Sequence, residues 1–346
     1  MPIEAPPLLE LTRTLGRTGI ALTALGFGST GLGNLYRAQT EDAAMATVEA
    51  AYAAGIRYFD TAPLYGFGLA EHRIGAALRR LPGEVVLSTK AGWRLFPRGR
   101  SASAGGVSHT LFQQPAPFEP RIDYSYDGVM RSFEDSIQRL GTDRIEILLL
   151  HDCDRRNHGE AYRERFAEAM AGAYRALLAL RDQGAVRAIG AGLNEWEACQ
   201  DFAQAGDFDC FLLAGRYTLL DQTSLDSFLP LCAERGIGII LGGPYNSGIL
   251  ATGAVEGAFY DYAPASPSIL ERTRAIERVC VRHGVPLRAA ALQFPLSHQA
   301  VASVIPGARD KAEVEENLRL ISLPIPTALW AELQTAGLIR EAAIVK

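Results

Sequence analysis

The segment YFDTAPLYG, residues 58–66, raises the first expectation about the fold. Asp60 directly follows the apolar run IRYF, and Tyr65 stands five residues later, next to Gly66. A buried strand that stops at a charged group is typical of the carboxyl end of a barrel strand, where (β/α)8 proteins carry their chemistry. We therefore expect a polar site at this end of the strand, and other strands that end in the same way.

Apolar runs and amphipathic segments alternate along most of the chain. Eight strand-plus-helix units can be counted between about residues 12 and 320, which favours a single (β/α)8 TIM barrel of the α/β class. This one domain is expected to cover residues 1–346, with a core of about 12–320 and a C-terminal extension at 321–346. A doubly wound parallel sheet is the alternative, because alternation alone does not separate the two folds.

Local signals predict several individual elements. The stretch TRTLGRTGIALTALGFGS, residues 12–29, predicts an N-terminal β-hairpin with GRTG as its turn. Thr40 and Gly55 mark the start and the end of a helix, and residues 161–184 are predicted to form one long helix. The stretch 91–123 is rich in Gly, Ser and Pro, so we expect a long loop after the third strand that covers the site and sets specificity.

The composition narrows the classes of function. The chain has 346 residues, of which 48% are hydrophobic and 21% charged, and its net charge is −5. Without a dense run of Lys or Arg, neither nucleic acid nor an anionic membrane is expected as a partner. The chain start lacks the pattern of a signal peptide, and no apolar stretch approaches ~18 residues. A cytoplasmic location is therefore expected, while the oligomeric state stays open.

The cysteines and histidines do not form a metal-binding pattern. The cysteines are odd in number and show no C-x-x-C spacing, so we expect reduced thiols without a metal. They are Cys153, Cys199, Cys210, Cys232 and Cys280. The six histidines show no H-x-x-x-H spacing.

The motif GFGSTG, residues 26–31, matches the G-x-G-x-x-G pattern of dinucleotide-binding folds. That fingerprint also requires a helix that opens at the third glycine. Here the segment GLGNLYRAQ, residues 31–39, intervenes before any predicted helix. We therefore reject the Rossmann interpretation, although the glycine-rich turn still belongs on the face where a barrel builds its site.

Ionisable residues end three successive predicted strands. Asp60 follows IRYF, Lys90 follows EVVLST and His151 follows RIEILLL. Because neighbouring strands lie ~4.8 Å apart, we expect these side chains and Tyr65 to meet in one pocket. An ammonium lowers the pKa of a nearby phenol from its ordinary value of ~10. Tyr65 is then the expected proton donor or acceptor at an alcohol or carbonyl, and such redox chemistry at a C–O bond needs a hydride carrier.

At these residues the sequence resembles the aldo-keto reductase superfamily. The motifs that carry the resemblance are FDTAPLYG, LSTKAG, ILLLHD and VIPGA followed by EENL, between roughly residues 12 and 320. The resemblance implies a (β/α)8 barrel, no metal, and a nicotinamide cofactor across the barrel mouth. It places the catalytic Asp, Tyr, Lys and His of the superfamily on Asp60, Tyr65, Lys90 and His151.

Within the superfamily, the segments LLHDCD, AGRYTLLDQ and GGPYNSGILATG are most similar to the D-threo-aldose 1-dehydrogenase group, also called L-fucose dehydrogenase. Pyridoxal 4-dehydrogenase and L-galactose dehydrogenase are related. The resemblance implies oxidation of the anomeric hydroxyl of an aldose, such as L-fucose, D-arabinose or L-galactose, to the lactone. An aldehyde or ketone reductase, a pyridoxal 4-dehydrogenase and a non-enzymatic, cofactor-sensing regulatory subunit are the alternatives.

The same resemblance implies a set of cofactor contacts. They are Gly28, Ser29, Asn194, Pro244, Ser247, Gly248, Leu250, Pro306, Gly307, Ala308, Arg309, Glu313, Glu316 and Asn317. Leu193, Ala214 and Gly242 depart from the polar or aromatic residues that many relatives carry there. Glu313 stands where NADP-binding relatives often have an arginine and would repel a 2′-phosphate, whereas Arg309 would attract one. NAD is therefore preferred over NADP, and Trp93 is the expected aromatic contact for a sugar or aldehyde substrate.

Overall fold

Eight parallel strands form the central sheet of the protein. The computed structural model describes residues 11–98 and 111–343. Its strands are β1 (Thr12–Thr14), β2 (Ala21–Thr23), β3 (Phe27–Gly28), β4 (Tyr58–Asp60), β5 (Val86–Ala91), β6 (Trp93–Pro97), β7 (Phe118–Ile122), β8 (Ile147–His151), β9 (Ala188–Leu193), β10 (Cys210–Ala214), β11 (Gly238–Gly242), β12 (Phe259–Tyr260), β13 (Ala263–Pro264) and β14 (Val301–Ile305).

The sheet closes into a barrel. The strands β3, β4, β5, β8, β9, β10, β11 and β14 are hydrogen-bonded in this order. Parallel bridges from Leu25 to Val304 and from Gly28 to Gly307 join the two ends of the sheet. The prediction of a (β/α)8 barrel is confirmed. The doubly wound alternative is wrong, because the strand order of such a sheet reverses at a switch point and the order observed here does not.

Helices surround the barrel. They are α1 (Glu41–Ala53), α2 (Leu69–Leu78), α3 (Tyr126–Leu140), α4 (Arg155–His158), α5 (Tyr162–Ala171), α6 (Ala173–Asp182), α7 (Trp196–Ala205), α8 (Phe228–Arg235), α9 (Ile249–Thr252), α10 (Pro267–Arg282), α11 (Leu287–Gln293), α12 (Lys311–Ile321) and α13 (Thr327–Thr335). Thr40 caps α1 by accepting a hydrogen bond from the backbone N–H of Ala43, as its sequence predicts. Within the described residues, no helix is both long and apolar enough to cross a membrane.

The barrel strands are apolar on both faces because one face packs inside the barrel and the other packs against the surrounding helices. Ile147 and Leu149 of β8 point into a cluster inside the barrel, with Ile240. Leu148 and Leu150 pack outward, against the layer that the helices cover. Such double burial explains why these strands show no alternation of apolar and polar residues.

The predicted N-terminal hairpin is confirmed and covers the amino end of the barrel. β1 and β2 pair in antiparallel register, and Leu15, Ile20 and Leu22 belong to the interior cluster of the barrel. Gly16 has a positive φ of 49°, and a Cβ there would lie 2.3 Å from Gly236 O. The opposite, carboxyl end of the barrel is therefore the end that is free to form a site.

The prediction of one long helix over 161–184 is wrong. The structure has two helices, α5 and α6, that meet at Gly172, whose φ and ψ are −112° and −76°. A Cβ at this residue would lie 2.5 Å from Tyr124 O, so the backbone bends where it approaches the segment before α3. Helical periodicity on both sides of a single glycine did not reveal this break.

The expectation of a long irregular loop over 91–123 also needs correction. Its two ends pair as an antiparallel hairpin, β6 with β7. Trp93, Leu95 and Phe118 pack against an apolar cluster formed by Leu64, Phe67 and Phe112, which stabilises the pairing. Residues 99–110 of this stretch lie outside the described residues.

Candidate active site

The carboxyl ends of β4, β5 and β8 bring the predicted side chains together. These strands are neighbours in the sheet. Asp60 ends β4, Lys90 lies near the end of β5, and His151 ends β8. Because parallel strands end at the same edge, the three side chains share one region of the barrel mouth.

Lys90 and Asp60 form a buried ion pair. Lys90 Nζ lies 2.6 Å from Asp60 Oδ2 and donates a second hydrogen bond, of 2.8 Å, to the carbonyl of Thr61. Ser88 Oγ donates to Asp60 Oδ1 at 2.7 Å. Burial alone would lower the pKa of Lys90, but the charge and the hydrogen bond of Asp60 help to raise it above its ordinary value. The ammonium is therefore charged at neutral pH and is fixed in position.

Tyr65 is held in the turn after β4 by close backbone packing. Gly66 has a positive φ of 62°, and a Cβ there would lie 2.6 Å from Gly33 O. This packing needs glycine at position 66 and fixes the backbone next to Tyr65. Lys90 Nζ lies 4.6 Å from the centroid of the Tyr65 ring.

The expected net lowering of the Tyr65 pKa is wrong. Burial raises the pKa of Tyr65, the Lys90 ammonium lowers it, and the Asp60 carboxylate raises it, with a net value above the ordinary one. Lys90 thus acts in the predicted direction, but loss of hydration outweighs it. The phenol is neutral near pH 7, which makes it a proton donor at rest and a base only after it has lost its proton.

His151 is neutral and incompletely hydrogen-bonded. Burial, followed by the charge of Lys90, lowers the pKa of His151 well below its ordinary value. Its ring stands edge-on to the Tyr65 ring, with 5.8 Å between centroids. Nδ1 is buried and has no hydrogen-bond partner in the described part of the chain, while Nε2 lies 3.6 Å from Asp152 Oδ1. A neutral imidazole in this position can donate one hydrogen bond to a bound oxygen.

A cavity of about 800 Å³ opens beside these residues. Asp60 and Tyr65 form part of its wall. The predicted cofactor contacts on the wall are Gly28, Pro244, Ser247, Gly248, Gly307, Arg309, Glu313, Glu316 and Asn317. The wall does not include Ser29, Asn194, Leu250, Pro306 and Ala308, of which Ser29, Leu250 and Ala308 are at most 2% exposed.

The shape and chemistry of the cavity fit a dinucleotide. Its volume lies within the range of small-molecule sites, roughly 300–1,000 Å³. No atom lies within 4 Å of a Cβ built on Gly248 or Gly307, so their backbone is open to a ligand. Ser29 Oγ, behind this wall, is buried without a hydrogen-bond partner among the described residues. These residues therefore fit a nicotinamide cofactor, and Arg309 and Asn317 also line the cavity.

Arg309 and Glu313 form an ion pair on the cavity wall. Arg309 Nε donates to Glu313 Oε1 at 2.8 Å, and the backbone N–H of Arg309 donates to Glu313 Oε2 at 2.8 Å. From the sequence, Glu313 is expected to repel a 2′-phosphate and Arg309 to attract one. In the structure, the carboxylate of Glu313 neutralises the charge of Arg309 and accepts its guanidinium hydrogen bond.

The two residues predicted for nicotinamide and substrate lie beside the cavity wall rather than on it. The side-chain amide of Asn194 donates weak hydrogen bonds, each of 3.5 Å, to Asp152 and Asp154. The Trp93 indole donates to Asp152 Oδ2 at 3.0 Å, and its ring packs against the cluster around Leu64. Both predicted contacts therefore converge on Asp152.

Several residues that line the cavity were not predicted from the sequence. Tyr36, Arg216, Tyr245, Asp261, Tyr262 and Arg288 line the cavity. Asp261 forms ion pairs with Arg156, at 2.8 Å, and with Arg216, at 2.9 Å. These contacts hold the hairpin formed by β12 and β13. Tyr36 and Tyr262 both have a positive φ, which is uncommon for aromatic residues and cannot be read from the sequence.

Asp152 was also missed, although it directly follows His151. It is 8% exposed, and burial together with the charge of Asp154 raises the pKa of Asp152 to about 7. Its φ is 59°, in the left-handed region. The signal in the sequence was the first acid of HDCD, which marks a carboxylate immediately beyond a strand that is apolar on both faces.

Asp152→Asn is expected to stabilise the protein, and more so at high pH. The folded protein keeps the Asp152 proton up to about pH 7, whereas the unfolded chain releases it near pH ~4. Stability therefore falls as the pH rises through this window, by at most about 4 kcal/mol. Denaturant unfolding at pH 5 and pH 8 should show a larger gain for Asp152→Asn at pH 8. An equal gain at both values would contradict the assigned burial of the charge.

Comparisons with known proteins give a sequence family, several relatives and a solved structure with the same fold. The sequence profile described as the Aldo/keto reductase family matches residues 24–337. The chain is 43% identical to pyridoxal 4-dehydrogenase of Microbacterium luteolum, covering 94% of this chain and 97% of that protein. It is 41% identical to D-threo-aldose 1-dehydrogenase of a Pseudomonas species, over 93% and 96% of the two chains. The holo form of an aldo-keto reductase from Bacillus halodurans shares the fold, with a TM-score of 0.74, 24% identity and 97% coverage of both chains.

Proposed function

Because this chain belongs to the aldo/keto reductase family, we propose that it oxidises the anomeric hydroxyl of an aldose to the lactone, with NAD as the hydride acceptor. It is an NAD(P)-dependent oxidoreductase, as the family and its dehydrogenase relatives indicate. The expected substrates are aldoses of the L-fucose, D-arabinose or L-galactose type. The relative named D-threo-aldose 1-dehydrogenase, at 41% identity, supports this choice.

One observation carries the proposal: a phenol on the cavity wall lies next to a buried ammonium. Lys90 Nζ is 4.6 Å from the Tyr65 ring centroid and 2.6 Å from Asp60 Oδ2. Among the described residues, no group of three or more His, Cys, Asp or Glu side chains could hold a metal ion. The ammonium, phenol and imidazole around the barrel mouth suit proton exchange at a C–O bond.

The protein's own residues account for the proton steps. A bound nicotinamide supplies the acceptor for the hydride that leaves C1. Tyr65, as its phenolate, takes the proton of the anomeric hydroxyl while the C–O bond becomes a carbonyl. Lys90 stabilises the phenolate by its positive charge, and Asp60 keeps Lys90 in place. His151 donates a hydrogen bond to the reacting oxygen and fixes its orientation.

Tyr65 therefore links the direction of the reaction to pH. Because its pKa lies above the ordinary value of about 10, the phenolate is scarce near neutrality. Oxidation should become faster as the pH rises, whereas carbonyl reduction uses the neutral phenol and is favoured at lower pH. A hemiacetal hydroxyl is easier to deprotonate than a simple alcohol, which makes an aldose a suitable substrate for this base.

Pyridoxal is a second candidate substrate. The relative named pyridoxal 4-dehydrogenase is 43% identical to this chain, and oxidation of a pyridoxal hemiacetal to its lactone uses the same proton steps. The two substrates differ in shape: an aldose presents a ring of hydroxyl groups, while pyridoxal presents a flat aromatic ring. Tyr36 and Tyr262 on the cavity wall offer aromatic surface to either ring.

A substrate panel tests the proposal. L-fucose, D-arabinose, L-galactose and pyridoxal are each offered with NAD and with NADP, and cofactor reduction is followed by absorbance. We expect at least one aldose to be oxidised with a kcat/KM well above that for simple aldehydes reduced with NADPH. Oxidation of pyridoxal alone would select the second candidate. Negligible oxidation of all four, with rapid aldehyde reduction, would overturn the proposal.

Glu313→Ala is expected to shift cofactor preference towards NADP. Removing the carboxylate frees the Arg309 guanidinium, which Glu313 now binds, and removes a charge that would repel a 2′-phosphate. The KM for NADP should fall by roughly tenfold, as expected for one charge-assisted contact at a partly exposed site. The KM for NAD should change by less than about threefold. Glu315→Ala, on the same helix and paired with Lys311, is the matched control and should change neither value.

A further inference from the structure

Asp152 lies next to the proposed catalytic histidine in a conformation that the chain must hold in place. It follows the last residue of β8, and its φ is 59°. A residue other than glycine in this region costs on the order of 1 kcal/mol or more, so the surrounding structure must maintain it. The Trp93 indole does so by donating to Asp152 Oδ2 at 3.0 Å. The other oxygen, Oδ1, is thereby turned towards His151.

Oδ1 is a buried acceptor that lacks a short hydrogen bond. Within the described residues it makes one hydrogen bond, of 3.5 Å, from Asn194 Nδ2, and His151 Nε2 lies 3.6 Å away. Asp152 is 8% exposed. A buried carboxylate oxygen normally accepts shorter bonds than these. Burial, together with the charge of Asp154, raises the pKa of Asp152 to about 7. This oxygen of Asp152 therefore keeps hydrogen-bonding capacity that the described residues do not use.

Asp154, in the same segment, is a carboxylate with a structural role, and both of its oxygens accept short hydrogen bonds. It is fully buried. Asp154 Oδ1 accepts from the backbone N–H of Asn157 at 3.0 Å and from its side-chain amide at 2.6 Å, while Oδ2 accepts from the backbone N–H of Asn194 at 3.0 Å. This acid caps α4 and joins two loops. Asp152, two residues earlier, lacks such a set of short bonds on Oδ1.

His151 Nε2 can donate a hydrogen bond, and the neighbouring Asp152 Oδ1 can accept one. His151 is neutral, and its Nδ1 has no partner in the part of the chain that the structure describes. The nearby carboxylate therefore favours the tautomer with hydrogen on Nε2. With 3.6 Å between them, the two atoms match two oxygens on neighbouring carbons of one substrate. One oxygen would accept from His151, and the other would donate its hydrogen to Asp152.

We propose that Asp152 accepts a hydrogen bond from the hydroxyl group on the carbon next to the reacting carbon, and thereby selects aldoses that carry a 2-hydroxyl. This inference rests on the proposed function, because the oxygen on His151 is the anomeric one. It also distinguishes the two candidate substrates. The ring hydroxyl of pyridoxal is one carbon further from its reacting carbon than the 2-hydroxyl of an aldose, so pyridoxal does not place a hydroxyl at this position.

A pair of sugars tests the inference. D-arabinose and 2-deoxy-D-ribose differ only at the 2-hydroxyl, and the ratio of their kcat/KM values is measured with NAD above pH 7, where Asp152 is ionised. In the unmodified protein the ratio should favour D-arabinose by roughly 10- to 100-fold, the effect of one hydrogen bond to a charged group. Asp152→Ala should bring it close to one, mainly by slowing D-arabinose. Asp152→Asn, which keeps a neutral acceptor, should give an intermediate ratio.

Asp154→Asn is the matched control. It removes the charge of a neighbouring buried acid, and it should affect both sugars equally and leave the ratio unchanged. Thermal unfolding of each variant separates lost activity from lost folding, and the ratio in the unmodified protein remains informative if a variant does not fold. A ratio near one in the unmodified protein, or equal losses on both sugars in Asp152→Ala, would overturn the role of Asp152. Failure of every aldose in the unmodified protein would instead overturn the proposed function, and this inference with it.

Discussion

Tyr65→Phe is expected to lower kcat for substrate oxidation by about 10³-fold, the usual contribution of a positioned general base. Phenylalanine keeps the ring that packs near Lys90 and Phe112 but has no group that can take the hydroxyl proton. The cofactor cavity is formed largely by residues of other loops, so the Kd of NADH should stay within about threefold. Steady-state kinetics and fluorescence titration with NADH measure the two quantities.

Tyr174→Phe is the control for this substitution. Tyr174 accepts a hydrogen bond from the backbone N–H of Asp207 at 2.7 Å, on the outside of the barrel. Its loss should leave kcat unchanged. If Tyr65→Phe retained the full rate while NADH bound normally, the proton would have to pass through another group, and Tyr65 would have no place in the mechanism.

Lys90→Met is expected to reduce both activity and stability. The substitution leaves Asp60 buried, at 2% exposure, without its positively charged partner. Removing one member of a buried ion pair costs about 3–5 kcal/mol of unfolding free energy. The rate should fall by at least about 10²-fold, because the phenolate of Tyr65 loses the charge that stabilises it. Denaturant unfolding and steady-state kinetics measure these effects.

The double variant Lys90→Met with Asp60→Asn shows whether the pair acts as a unit. With both charges removed, no buried charge is left unpaired, so stability should recover part of the loss while activity stays low. Lys311→Met provides the exposed comparison, since its partner Glu315 is 3.5 Å away and both side chains are over 60% exposed. That change should cost less than about 1 kcal/mol. Equal losses for Lys90 and Lys311 would contradict the assigned coupling.

The positions of the site residues could be predicted because strand ends obey a simple rule. Asp60, Lys90 and His151 each follow an apolar run, and parallel strands in a closed barrel bring such ends together. The glycines of the cavity wall, such as Gly248 and Gly307, were identified from the family resemblance, and the structure leaves their backbone open to a ligand. The hairpin at β1 and β2 followed from its turn residues alone.

Properties that depend on packing could not be predicted. The sequence gives the charge that lowers the Tyr65 pKa, but not the burial that raises it further. It shows an acid after His151, but not the left-handed backbone that turns Asp152 towards the imidazole. The bend at Gly172 arises from contact with the chain near Tyr124, and the pairing of β6 with β7 depends on an apolar cluster from distant segments. Each depends on neighbours that are remote in sequence.

The pH dependence of kcat for aldose oxidation, in the unmodified protein and in Lys90→Met, tests the central claim most directly. The claim is that the Lys90 ammonium, held by Asp60, makes the phenolate of Tyr65 accessible. The rate should rise with pH in both proteins, because the phenolate is the base. In Lys90→Met the rising limb should move to higher pH by at least about one unit. Superimposable limbs in the two proteins would show that Lys90 does not govern the proton of Tyr65, and would contradict the account.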